Sequence, residues 1–152
     1  MSYLFMDSSA LVKRYLSEKG SIWVAAQTDT LAANTIVIAE ITCVEVAAAL
    51  AARHRSSPQY AISRDDRDRL FRLFARHLTN EYRAMPVTSA ITDRAMHLTQ
   101  TYRLRGYDAV QLASGLAAVA ALPDLQFVAS DADLLAAALA EGMPCANPHD
   151  YA

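Results

Sequence analysis

Short apolar runs alternate with helix-length stretches along this chain, and that alternation limits the fold more than any other feature. Tyr3-Leu4-Phe5-Met6 reads as a short buried strand, and Thr35-Ile36-Val37-Ile38 is a β-branched run of the same kind. Tyr82 to Val87 is a third strand, interrupted by Pro86, which suits a sheet edge or a strand end. Leu125 to Ala129 is a fourth, and Pro144 to Asn147 a short fifth. Between them, apolar spacing predicts helices over about Ser9–Ser17, Ser21–Val24, Ala39–Arg55, Arg64–His77, Ser89–Tyr102, Asp108–Ala121 and Asp131–Ala140. Capping chemistry agrees: Ser8 or Ser9, Ser21, Ser63 with Asp66, and Thr88 stand where helices begin, while Gly20 and Gly142 stand where they stop. Alternation of this sort, without internal repeats, predicts an α/β fold: a three-layer α/β/α sandwich on a mainly parallel central sheet. The 152 residues fit one domain spanning 1–152.

Composition narrows the class of function. A net charge of −2 argues against a general polyanion binder but leaves room for a local basic rim. The densest charge run, Arg64 to Arg76, mixes both signs at pairing distance and reads as a solvated helix face. Cys43 and Cys145 form neither a metal-type pair nor a disulfide framework, so reduced thiols are expected. His54, His77, His97 and His149 share no ligand spacing and are expected to be exposed and non-catalytic. The strand beginning at Tyr3 leaves no room for a leader, and charges break every apolar stretch before membrane-spanning length. A cytoplasmic protein with no membrane partner is the expectation. There is no Walker loop, G-x-G-x-x-G or G-x-S-x-G motif.

Four acids do not fit their surroundings. Asp7 follows the first buried strand at the sheet edge where open α/β folds place ligands. Asp108 opens an apolar helix, and Asp131 follows the fourth strand. Capping a helix N-terminus explains any one of these three alone. Glu45 resists that account: it lies at least a turn inside an apolar helix, with no cation three or four residues away. A carboxylate on an apolar surface costs several kcal/mol unless paired or metal-bound. Strand ends and helix starts lie along one edge of such a fold, where these acids are able to meet. Mg²⁺ or Mn²⁺ suits a set of hard oxygen ligands that needs no His or Cys.

Four blocks carry a resemblance: Met6-Asp7-Ser8-Ser9-Ala10-Leu11-Val12-Lys13, Ile41-Thr42-Cys43-Val44-Glu45-Val46, Leu104-Arg105-Gly106-Tyr107-Asp108-Ala109-Val110-Gln111-Leu112-Ala113, and Phe127-Val128-Ala129-Ser130-Asp131-Ala132-Asp133-Leu134. Together, and in this order, they resemble PIN-domain proteins, specifically VapC-type toxins of type II toxin–antitoxin pairs. The resemblance implies a divalent-metal-dependent endoribonuclease with Asp7, Glu45, Asp108 and Asp131 as catalytic acids. Asp7 and Asp108 would be the principal ligands of Mg²⁺ or Mn²⁺, with Glu45 and Asp131 completing the site directly or through water. It also implies an RNA substrate, homodimerisation, and inhibition by a small cognate antitoxin. Members of that family often carry Thr or Ser two residues before the fourth acid; this chain has Ala129 there, with Ser130 adjacent.

Other residues take supporting readings. Ser8 and Ser9 stand where they can cap a helix and orient a water beside Asp7. Asp133 is a rival ligand to Asp131, assigned instead to the solvated helix. Lys13, Arg14, Arg103 and Arg105 are the candidates to meet RNA phosphates, Arg103 and Arg105 foremost. Two alternatives use the same acids: a metal-dependent phosphatase or DNA nuclease, and a catalytically weak binding module.

Overall fold

The computed structural model describes residues 1–151; Ala152, the last residue of the expected domain, lies outside them. Five strands form one sheet in the order β3-β2-β1-β4-β5. They are β1 (Tyr3–Met6), β2 (Thr35–Ala39), β3 (Tyr82–Met85), β4 (Gln126–Val128) and β5 (Cys145–Ala146). All the pairings are parallel, because helical crossovers return the chain to the same edge each time. The helices are α1 (Ser8–Leu11), α2 (Ser21–Thr28), α3 (Glu40–His54), α4 (Arg64–Asn80), α5 (Ser89–Thr101), α6 (Gly106–Ala121) and α7 (Ala132–Ala140). The first strand of the chain is the central one. β2 and β3 build outward on one side of it, β4 and β5 on the other, so the topological switch point lies between β1 and β4.

Period-two alternation along the strands divides the core into two layers. Leu4, Met6, Ile36, Ile38 and Val128 pack with Leu11, Val46, Leu50, Leu70 and Phe74 of α1, α3 and α4. Phe5, Val37, Ala39, Phe127 and Ala129 pack with Ile91, Leu98, Leu112 and Leu134 of α5, α6 and α7. This is the three-layer sandwich that the alternation predicts. Pro86 follows β3 directly, and β3 is an edge strand, so the missing amide costs no ladder bond.

Several local expectations are corrected. The first helix does not run to Ser17: it is α-helical through Leu11, tightens to a 3₁₀ turn over Val12–Arg14, and ends at Tyr15. Its cap is neither Ser8 nor Ser9 but Asp7, whose carboxylate accepts the Ala10 amide. Ser21 does not cap α2; Gly20 holds that position at φ +88°, while the Ser21 hydroxyl accepts the Glu18 amide and donates to the Leu16 carbonyl. Ser63 and Thr88 do cap α4 and α5, accepting the amides of Asp66 and Ile91. α6 begins two residues early, at Gly106, so Asp108 sits in its first turn.

The histidines are corrected too, since of the four only His97 is exposed. His54 Nδ1 bonds the Ile62 carbonyl at 2.9 Å. His77 joins a partly buried network in which Tyr15 bonds both His77 Nδ1 and the Tyr82 hydroxyl. Arg14 completes that network, donating to Tyr82 at 2.7 Å and pairing with Glu81 at 2.8 Å. Burial pushes the His77 pKa down, and the Arg14 charge beside it adds to the effect.

α6 lies directly on the sheet because Gly115 lets it. Phe5 and Phe127 are paired across β1 and β4, with parallel rings 5.3 Å apart. A Cβ on Gly115 would stand 2.6 Å from the Phe127 ring, which is fully buried against Phe5. Gly115→Ala should therefore destabilise the protein by about 1–3 kcal/mol despite alanine's better helix propensity. Urea denaturation measures it; a neutral or stabilising change would show that the α6–sheet spacing is not set here.

Candidate active site

The carboxyl edge of the sheet collects the unusual acids, and the central strand supplies the first. Asp7 follows β1, its backbone amide bonded to the Val128 carbonyl of β4 at 3.1 Å. Its side chain is 2% exposed. The Ser9 hydroxyl lies 2.7 and 2.9 Å from the two carboxylate oxygens, and the Ala10 amide donates at 3.0 Å. Burial raises the Asp7 pKa to about 7, with Ser9 and Ala10 pulling it down and the neighbouring Glu45 charge adding to the rise. Ser9 also accepts the Ser130 amide at 2.9 Å, tying the turn after β1 to the turn after β4. Ser8 is half-buried beside it.

Glu45 has the partner that its apolar helix lacks, and it comes from α6. Gln111 Nε2 donates to Glu45 Oε1 at 2.7 Å and to Thr42 Oγ1 at 2.8 Å. Gln111 and Thr42 are 1% and 0% exposed, and Gln111 Oε1 has no hydrogen-bond partner. Gln111 is the residue that sequence reasoning missed. The signal was present: an amide three residues after Asp108, one helical turn along an apolar helix.

Asp108, Asp131 and Asp133 line a second part of the edge, a cleft of about 340 Å³ shared with Arg103 and Arg105. Burial raises the Asp108 pKa, and the Asp131 and Asp133 charges push it the same way. Asp131 caps α7, accepting the Leu134 amide at 2.9 Å. Asp133 is exposed, as a solvated-helix residue would be, yet lines the same cleft and stands 3.9 Å from Arg103. The Ser130 hydroxyl is buried without a partner, and Ala129 is fully buried under the sheet edge.

The acids therefore stand as two groups, Asp7 with Glu45 and Asp108 with Asp131 and Asp133. Two bridges join the groups: Ser9 to Ser130, and α6, which carries both Asp108 and Gln111. Among the described residues, no three carboxylate, histidine or cysteine side chains converge as they stand on one ion-sized point. Lys13 and Arg14 are engaged by partners other than these acids. Lys13 is 5% exposed and pairs with Glu18 at 3.1 Å, while Arg14 is engaged by Glu81 and Tyr82. Arg103 and Arg105 are exposed at the rim of the acidic cleft.

No family model matches the sequence. A curated relative does: the chain is 32% identical over 117 residues, 77% of either chain, to ribonuclease VapC45 of Mycobacterium tuberculosis. The chain belongs to the VapC ribonuclease family. Solved structures share the fold of this VapC-family chain at lower identity. A toxin–antitoxin complex from Klebsiella pneumoniae matches with TM-score 0.60 and 20% identity, covering 97% of this chain and 98% of that one. VapBC2 from Rickettsia felis, bound to a DNA fragment from its promoter, matches with TM-score 0.64 and 12% identity over 95% and 98%. Among the described residues of this VapC-family chain, no helix is long and apolar enough to cross a membrane.

The buried acid makes stability depend on pH with a definite sign. Folded Asp7 keeps its proton up to about pH 7, against 3.8 when free, so between those values the folded chain binds more protons than the unfolded one. Stability should then fall as pH rises through this window, losing about 1.4 kcal/mol for each pH unit crossed. Asp7→Asn keeps a capping oxygen but cannot ionise, and should flatten that slope in metal-free urea titrations. An unaltered slope in the variant would show that Asp7 is not the group responsible.

Proposed function

We propose that this chain is a divalent-metal-dependent endoribonuclease, the toxin of a toxin–antitoxin pair, acting as a single PIN-like domain in the cytoplasm. The observation that carries the reading is a fully buried carboxylate, Asp7, beside a second one, Glu45, at the switch point of a parallel sheet. Burial, with the neighbouring Glu45 charge, resists ionisation of Asp7 unless a cation offsets it. Family membership supports the RNA substrate, since the matching relatives are named ribonucleases. The toxin–antitoxin complexes among the structural relatives support a small cognate antitoxin as the inhibiting partner, and the homodimer follows from the family resemblance.

The donor set fits Mg²⁺ or Mn²⁺. The acids offer only oxygen, and among the described residues Asp7, Glu45, Asp108 and Asp131 form no ion pair. Mg²⁺ commonly binds through one or two carboxylates, substrate phosphate and retained waters, which suits two carboxylate groups that do not close on one point. Asp7 and Asp108 would hold the ion, with Glu45 and Asp131 completing the site directly or through water. When bound, the ion supplies charge neutralisation for phosphate oxygens and acidification of a water.

The chain's own residues do the rest. Ser9 and the Ala10 amide fix the Asp7 carboxylate, and Gln111 fixes Glu45, so neither has to be ordered during reaction. Arg105 and Arg103 at the cleft rim hold backbone phosphates of the RNA, Arg105 beside Asp108 and Arg103 beside Asp133. Lys13 and Arg14 are less available to phosphate, because each is largely buried and held by a partner within the fold, whereas Arg103 is exposed.

Purified protein should cut RNA in Mg²⁺ or Mn²⁺ and stop in EDTA. Asp7→Asn and Asp108→Asn should each lower the rate by about a hundredfold or more. Mg²⁺ should raise the melting temperature of the wild type by mass action, and less in the variants. Parallel assays on DNA and a phosphomonoester separate the ribonuclease from a DNA nuclease or phosphatase. Undiminished metal-dependent cleavage by either variant would refute the assignment of the acids.

A further inference from the structure

Beside the acidic cleft lies a second depression that the chemistry above does not use. It measures about 350 Å³ and is lined by Ile41, Arg105, Gly106, Tyr107 and Val110. The Tyr107 side chain is 65% exposed, a large ring left in water at the start of α6. Arg105 lines both the depression and the acidic cleft, and it forms no ion pair among the described residues. Its charge acts on Asp108, the next residue after Tyr107.

We propose that this depression is a nucleobase subsite, in which Tyr107 stacks against the base next to the scissile phosphate while Arg105 holds that nucleotide's phosphate. The proposal rests on the ribonuclease reading and adds to it the part of the substrate that is not phosphate. Arg105 lines both the acidic cleft and the depression, so a nucleotide whose phosphate it holds brings its base within reach of the Tyr107 ring. Asp108 and Tyr107 sit about 100° apart around α6, which turns the carboxylate into one cleft and the ring towards the other. Arg105 at the ridge between them is placed for the charged backbone that joins base to reaction centre. An apolar wall, an open aromatic face and one free cation are the elements by which proteins hold single-stranded RNA. Stacking is tolerant of base identity, so the subsite selects unpaired RNA before it selects sequence.

The test uses a short single-stranded oligoribonucleotide whose cut site has been mapped with the wild-type protein. Tyr107→Ala should raise KM, and the Kd for the oligonucleotide in an Asp7→Asn background, by roughly tenfold, with kcat changed far less. Tyr107→Phe and Tyr107→Trp should restore wild-type values. The wild type should lose the same factor on an oligonucleotide abasic next to the cut, and Tyr107→Ala should lose nothing more on it. That arm needs no variant to fold. Equal affinity of Tyr107→Ala and wild type, or independent losses from the variant and the abasic site, would overturn the subsite. So would a change of oligomeric state in Tyr107→Ala with RNA affinity intact, which would place the ring against a second copy. Absence of RNA cleavage by the wild type would instead remove the ribonuclease reading beneath it.

Discussion

A carboxylate held out of water at the end of the central strand is the constraint on which the rest of the structure depends. Ionising Asp7 where it stands works against burial and against Glu45, and the fold meets that cost only in part. Ser9 and the Ala10 amide lower it, and they do so with the same contacts that start α1 and clamp the turn after β4. Removing the charge would relax the protein, but it would also remove the carboxylate proposed to hold a cation at this edge. Stability is surrendered where chemistry needs a destabilised group, a common exchange at functional sites.

α6 transmits that constraint across the molecule. At Gly115 it rests on the Phe5–Phe127 stack with no side chain between. One turn nearer its start it buries Gln111 against α3, and its first turn carries Asp108 into the acidic cleft. A shift of the helix away from the sheet would move Gln111 from Glu45 and Asp108 from Asp131 together. The close approach near the helix middle and the spacing of acids at its start are therefore one geometric problem. The opposite layer is held differently, by the buried contacts of Leu50, Leu70 and Phe74 and by the Arg14–Tyr82–Tyr15–His77 network.

Much of this was legible from residue order, for reasons that can be named. The five strands are short apolar runs, and period-two alternation sorts their side chains into two layers without any knowledge of partners. Glu45 announced itself because a carboxylate in an apolar helix has no local means of satisfaction. The partner stayed hidden because Gln111 lies 66 residues away, and an amide carries no charge to mark it. Asp7 as cap, in place of Ser8 or Ser9, was decided by which oxygen the turn after β1 aims at the Ala10 amide. Lys13 and Arg14 looked free on a helix surface, and only packing revealed Glu18, Glu81 and Tyr82 as their neighbours.

The sequence by itself determined the elements, the parallel three-layer class and the identity of the uncomfortable acids. These follow from periodicity and desolvation, which act over a few residues at a time. Only the tertiary structure decided how the acids are grouped, which side chains hold them, and which cations are buried in pairs within the fold. Those outcomes depend on the strand order β3-β2-β1-β4-β5, which sets residues more than a hundred positions apart, such as Ser9 and Ser130, within a hydrogen bond of each other. Local pattern carries no record of that order, because it is fixed by the burial of both sheet faces at once.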